Sequence, residues 1–148
     1  MKMIKVFSDE SLCLNCRRCE VACKTEHSQS KDTVKAYKLE VPVPWTRVHV
    51  DGSNLDSVAV QCRHCDEPLC VEGCITGAMH KEPTGYVLCD ADRCIGCMTC
   101  VAMCPYGAIS VHRVALKCDA CPDREIPACV DACPNRALFT KEVEVAHV

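Results

Sequence analysis

Sixteen of the chain's seventeen cysteines fall into four groups of four, and every group opens C-x-x-C and closes C-x-x-x-C. The first is Cys13, Cys16, Cys19 and Cys23, and the second is Cys62, Cys65, Cys70 and Cys74. The third is Cys94, Cys97, Cys100 and Cys104, and the last is Cys118, Cys121, Cys129 and Cys133. A cubane of iron and sulfide needs four thiolates at the corners of a tetrahedron, and three closely spaced cysteines on a tight loop wrap three of its irons. The four quartets therefore predict four [4Fe–4S] clusters. Structural zinc sites usually set two C-x-x-C pairs twelve or more residues apart, so three cysteines within seven residues fit zinc poorly.

The remaining composition agrees. Phe, Tyr and Trp together number only six among 148 residues, so large side chains cannot supply much of a core. Disulfides or metal centres must hold the fold instead. The stretch from Met1 to Ser11 has no long apolar run of a secretory signal, and no segment approaches a membrane span. These features predict a reducing cytoplasm, where thiols bind metals, and an odd cysteine count fits a closed disulfide framework badly. The net charge of −3 carries no clustered basic excess, which argues against nucleic acid as a partner.

In the general bacterial ferredoxin run, the fourth cysteine ligates the other cluster of a pair. On that logic the fourth cysteine starts a helix that points away, and each quartet gives three ligands to one cluster and one to its neighbour. After three quartets a small-then-apolar ending recurs, at Ala78-Met79, Ala108-Ile109 and Ala137-Leu138, where a short helix should turn into a strand. The first quartet departs from it, running Cys23-Lys-Thr-Glu-His27. Between the second and third quartets, Ala78–His80, the turn Glu82-Pro83-Thr84-Gly85 and Tyr86–Leu88 read as a hairpin. It joins those two quartets into one unit and leaves the first and fourth to enclose it.

The resulting expectation is an α+β fold of two interlocked bacterial-ferredoxin-like units, short helices and β-hairpins around clusters. Residues 1–23 with 105–148 form the outer unit, 62–104 the inner unit, and 24–61 an inserted hairpin segment. On this nested pairing one cluster takes Cys13, Cys16, Cys19 and Cys133, and a second takes Cys62, Cys65, Cys70 and Cys104. A third takes Cys94, Cys97, Cys100 and Cys74, and a fourth takes Cys118, Cys121, Cys129 and Cys23. Sequential pairing, first quartet with second and third with fourth, is the alternative.

Within the insert, Thr46–Val50, the turn Asp51-Gly-Ser-Asn54 and Ser57–Val60 read as an edge hairpin with Trp45 packed against the core. A docking face at Trp45 is the second reading, since Trp is over-represented at binding hot spots. Cys89 reads as a buried free thiol, with a substitute ligand as the sharper alternative. His64, between two ligands, tunes a cluster or faces solvent, with coordination of iron as the sharper alternative. Arg17, Arg18 and Lys117 place positive charge beside ligands, where it either raises cluster potentials or lies on a solvated face.

These quartets resemble the four-cluster ferredoxin-like electron-transfer subunits of complex redox enzymes, the small-subunit type of dimethyl sulfoxide reductase and formate dehydrogenase. Cys13-x-x-Cys16-x-x-Cys19-Glu-Val-Ala-Cys23 with Glu26-His27-Ser28, Gln61-Cys-Arg-His-Cys65 and Cys94-Ile-Gly-Cys97 look most like the ferredoxin partners of nickel carbon monoxide dehydrogenase. The resemblance spans roughly residues 3 to 140 and itself implies the nested pairing. It implies an electron wire between a catalytic subunit, carbon monoxide dehydrogenase by first choice, and a hydrogenase, flavoprotein or other acceptor. A molybdenum or tungsten enzyme or a hydrogenase is the alternative partner, and an iron–sulfur cluster carrier the alternative class. It also implies an anaerobic setting, and the short stretch from Thr140 to Val148 favours a complex without a membrane anchor. No glycine-rich phosphate loop or dinucleotide fingerprint is present, and fully ligated irons leave no open site, so catalysis by this chain is not expected.

Overall fold

Seven residues near each end of the chain pair with one another. The computed structural model describes residues 2–53 and 56–145, and within them β1 (Lys2–Ser8) pairs antiparallel with β8 (Leu138–Glu144), Lys2 opposite Glu144 and Ser8 opposite Leu138. Three hairpins complete the sheet structure: β2 (Val48–Gly52) with β3 (Ser57–Gln61), β4 (Met79–Lys81) with β5 (Val87–Cys89), and β6 (Ser110–His112) with β7 (Val114–Leu116). None of these antiparallel ribbons joins another into a wider sheet among the described residues. Two-stranded ribbons are marginal alone, so each depends on what its faces cover.

Short helices lie between the ribbons. They are α1 (Arg18–Glu26), α2 (Thr33–Lys38), α3 (Leu69–Glu72), α4 (Thr99–Met103) and α5 (Ala128–Asp131). Helix α1 packs against α5, and α3 against α4. The helices of the first and fourth quartets thus meet, as do those of the second and third. Two small cores follow the same division. One gathers Val6, Val48, Val50, Ala59 and Leu138 around Cys19, Cys23 and Cys129; the other gathers Met79, Ile109 and Ala115 around Cys100.

The two hairpins expected from sequence are present, each shifted by a residue or two from its predicted bounds. Asn54 of the expected turn lies outside the described residues, as do Met1 and residues 146–148. The hairpin β2–β3 is more than an edge piece, because Val48, Val50 and Ala59 belong to the first of the two cores. Trp45 is a correction. It is half exposed rather than packed against the core, and its ring stacks on His112 at 3.6 Å. The expectation that the fourth cysteine starts a helix is a second correction. In three quartets the short helix carries the third cysteine and ends before the fourth, at Glu72, Met103 and Asp131. Only α1 runs on past its fourth cysteine, to Glu26, where the sequence lacks the Gly- or Asn-containing turn that follows the others.

The halves are stitched by specific bonds. Tyr86 of the inner hairpin donates its hydroxyl to Ile4 O at 3.0 Å and accepts from Ile4 N–H at 3.3 Å. The buried Gln61 side chain donates to Val6 O at 3.1 Å. Gly85, at φ +92°, lets Met3 and Val145 close over the inner turn, where a Cβ would meet Met3 Sδ at 2.8 Å.

Candidate functional site

The C-x-x-C loops are built by one repeated backbone device. The residue before the second cysteine is left-handed in all four: Asn15, His64, Gly96 and Ala120 have φ between 44° and 69°. Such a residue curls the chain so that backbone N–H groups point inward at the loop's own sulfur. His64 N–H accordingly lies 3.4 Å from Cys62 Sγ, and Ala120 N–H 3.4 Å from Cys118 Sγ. In the first and third quartets a further left-handed residue, Arg17 or Met98, caps the helix that carries the third cysteine. In the second and fourth, Pro68 or Pro127 occupies that position.

These loops bring distant cysteines together. Cys13, Cys16, Cys19 and Cys133 line one hollow, Cys62, Cys65, Cys70 and Cys104 a second, and Cys74, Cys94, Cys97 and Cys100 a third. Cys129 lies within electrostatic reach of Cys118, Cys23 and Cys121. None of the seventeen cysteines forms a disulfide. Each group offers four sulfur donors in partly buried surroundings, the donor set an iron–sulfur cubane requires.

Electrostatics separate the thiols into two kinds. Burial pushes Cys19, Cys118 and Cys70 up, to about 12, 12 and 11, and raises Cys129 further. Buried sulfurs of this kind become thiolates at neutral pH only against a metal's charge. Burial also raises Cys23, but bonds from His27 and from the Arg47 N–H at 3.2 Å outweigh it and its pKa is lowered. At Cys74 the Met79 N–H at 3.3 Å and Thr76 likewise overcome burial. The Ala115 N–H reaches Cys94 Sγ at 3.3 Å. Hydrogen bonds to cluster sulfurs are among the features that set reduction potential.

A charged network backs Cys23. Burial lowers the His27 pKa, but bonds to Asp119 at 3.1 Å and to Cys23 raise it to about 9. The ring therefore donates to both neighbours, and Arg47 pairs with the other Asp119 oxygen. Burial raises Asp119, and these partners hold it well below the usual carboxylate range. Asp119 carried no sequence signal beyond its place inside a C-x-x-C.

His64 does not face solvent: it is buried, accepts from the Val87 N–H at 3.1 Å and meets the edge of Tyr86. Burial, then the charges of Lys117 and Lys5, lower its pKa to about 3, so the ring is neutral. Cys89 is half-buried and lines the hollow of Cys74, Cys94, Cys97 and Cys100 as a fifth thiol. Burial pushes it up to about 12. Arg17 is exposed and pairs with Glu20 at 3.2 Å, and Arg18 is exposed, whereas Lys117 is buried.

Comparison with known proteins agrees with this donor chemistry. Residues 54–143 match the family described as 4Fe-4S dicluster domain, and residues 10–26 match the 4Fe-4S binding domain. The electron transport protein HydN of Escherichia coli (strain K12) is 39% identical over 154 residues, covering 90% of this chain and 85% of HydN. The iron–sulfur protein of Rhodospirillum rubrum is 35% identical over 164 residues, covering 97% of this chain and 84% of its own. The B subunit of the anaerobic dimethyl sulfoxide reductase of Escherichia coli (strain K12) is 36% identical over 144 residues, covering 89% of this protein and 70% of that subunit. Among solved structures, the BamBC active-site complex of benzoyl coenzyme A reductase with benzoyl-CoA shares the fold, with a TM-score of 0.52 at 22% identity over 100% of this chain and 84% of that one. Among the described residues no helix is long and apolar enough to cross a membrane. With cysteine quartets folded into shared sulfur-lined hollows and a family match over more than half its length, the chain belongs to the 4Fe-4S dicluster domain family and binds [4Fe–4S] clusters.

Proposed function

We propose that this iron–sulfur electron-transfer protein holds four [4Fe–4S] clusters and relays electrons between a catalytic redox enzyme and an acceptor protein. The four ligand sets are those of the nested pairing: Cys13, Cys16, Cys19 and Cys133; Cys62, Cys65, Cys70 and Cys104; Cys94, Cys97, Cys100 and Cys74; Cys118, Cys121, Cys129 and Cys23. The observation that supports this reading is that three of the sets each line one hollow, and in the fourth Cys129 lies within electrostatic reach of Cys118, Cys23 and Cys121, although one member of each set comes from another quartet. Residues 1–23 with 105–148 then make the outer unit, 62–104 the inner unit and 24–61 the insert. A bound cluster supplies a one-electron redox centre.

The protein's own residues order the sites. Cys19 neighbours Cys129, Cys118 neighbours Cys62, and α3 packs on α4. This supports a row running from the Cys13 site through the Cys118 and Cys62 sites to the Cys94 site. The two end sites each have an exposed ligand, Cys16 and Cys97. Exposed apolar residues flank them, Leu14 at one end and Ile95 and Met98 at the other, as suits contact with a partner at each end.

Anaerobically purified protein should contain about sixteen irons and sixteen labile sulfides per chain, as four cubanes require. A count near four, or stoichiometric zinc, overturns the reading. A relay also keeps its clusters through repeated reduction, whereas a cluster carrier loses them to an apo acceptor. For the partner, the loop motifs support carbon monoxide dehydrogenase, with a hydrogenase or flavoprotein accepting. The similarity to the B subunit of a dimethyl sulfoxide reductase favours a second reading, a subunit of a molybdenum or tungsten enzyme. An anaerobic pull-down from the host, read by mass spectrometry, decides between them by which catalytic subunit is recovered. Sixteen thiols spaced to hold iron rather than to pair as disulfides support a reducing, cytoplasmic setting.

A further inference from the structure

Lys117 is only 4% exposed, and a buried ammonium is costly unless an anion compensates it. Its Nζ donates to Val87 O and, at 3.2 Å, to Cys118 O. Those carbonyls satisfy hydrogen bonds but offer only partial charge. Among the described residues no carboxylate forms an ion pair with Lys117. What flanks it is sulfur. On one side it directly precedes Cys118, which neighbours Cys23 and Cys62. On the other, Val87, whose carbonyl it bonds, lines the hollow of Cys62, Cys65, Cys70 and Cys104.

We propose that Lys117 is the buried counter-ion shared by the two middle cluster sites, and that it raises the reduction potential of both. The inference rests on the four-cluster reading above. A cubane held by four thiolates is a dianion when oxidised and a trianion when reduced. A fixed cation therefore stabilises the reduced form more, and in a buried site that attraction is weakly screened. On the proposed row the Cys13 and Cys94 sites are the outer ones and feel the charge less, because Coulomb energy falls with distance.

The test is an anaerobic redox titration of holoprotein followed by electron paramagnetic resonance, comparing wild type with Lys117→Met, Lys117→Gln and Lys117→Arg. The four-cluster reading is checked first, by the wild-type iron count. With sixteen irons present, the proposal expects two of the four potentials to fall in both neutral variants and to stay near wild type in Lys117→Arg. Fully loaded neutral variants with unchanged potentials overturn it. If the neutral variants lose iron, loss of about half with retention in Lys117→Arg supports a counter-ion. Equal loss in all three variants shows that the lysine's shape, not its charge, is what matters, and overturns the proposal.

Discussion

Tyr86 ties the inner hairpin to β1 through one hydroxyl, which both donates to and accepts from the Ile4 backbone. Tyr86→Phe removes both bonds while keeping the ring against His64. The expected loss is about 1 kcal/mol, within the usual range for a hydrogen bond, seen as earlier thermal release of iron with unchanged cluster content. At this scale the sequence told residue types but not their surroundings. Lys117 reads as a surface cation or a tuning charge with equal ease, because a lysine's sequence neighbours do not reveal what packs over it. His64 had the same ambiguity. Its burial depends on Val87 and Tyr86, which come from the other side of a hairpin.

Among the elements, the C-x-x-C loops set the strictest demand on the backbone. Gly96 is at φ +69°, and an added Cβ would sit 2.4 Å from Arg113 O. Gly96→Ala should therefore cost about 2 kcal/mol or more, combining the left-handed penalty with a backbone clash. Its measure is a lowered melting temperature of holoprotein and preferential loss of iron from one of the four sites. The same left-handed position holds Asn15, His64 and Ala120, a mixture of side chains with no common type. That is why the device was not legible in the sequence: these residues adopt the conformation because the ligand loop imposes it. Two of the three hairpins were legible, since alternation of apolar residues around Gly and Asp turns is a local signal; β6–β7 was not, because it turns at the single residue Arg113, at φ +81°, with no Gly, Pro or Asn to mark it. Helix α2 was not, because its six residues bury only Ala36 and give no apolar stripe to read.

As a whole, the molecule has little core to fall back on. Its two packed clusters are made of a few aliphatic residues and of the cysteines themselves. Burial raises thiols such as Cys19, Cys70 and Cys118, so the gathered sulfurs gain their stabilisation from metal rather than from one another. Removal of iron with a chelator under reducing conditions should leave the chain largely unfolded by circular dichroism. A cooperative melt of the apoprotein would contradict this.

The sequence by itself determined the donor type, the four repeats and the family, because metal ligands at fixed short spacing are a covalent property of the chain. Tertiary structure alone decided which helices meet, where Trp45 stacks, which fifth thiol enters a sulfur-lined hollow and which lysine is buried. Those outcomes depend on residues up to 142 positions apart being brought together, as Lys2 and Glu144 are in the β1–β8 ribbon. No local pattern encodes such contacts; they follow from how the ribbons and short helices share what little apolar surface the chain has to bury.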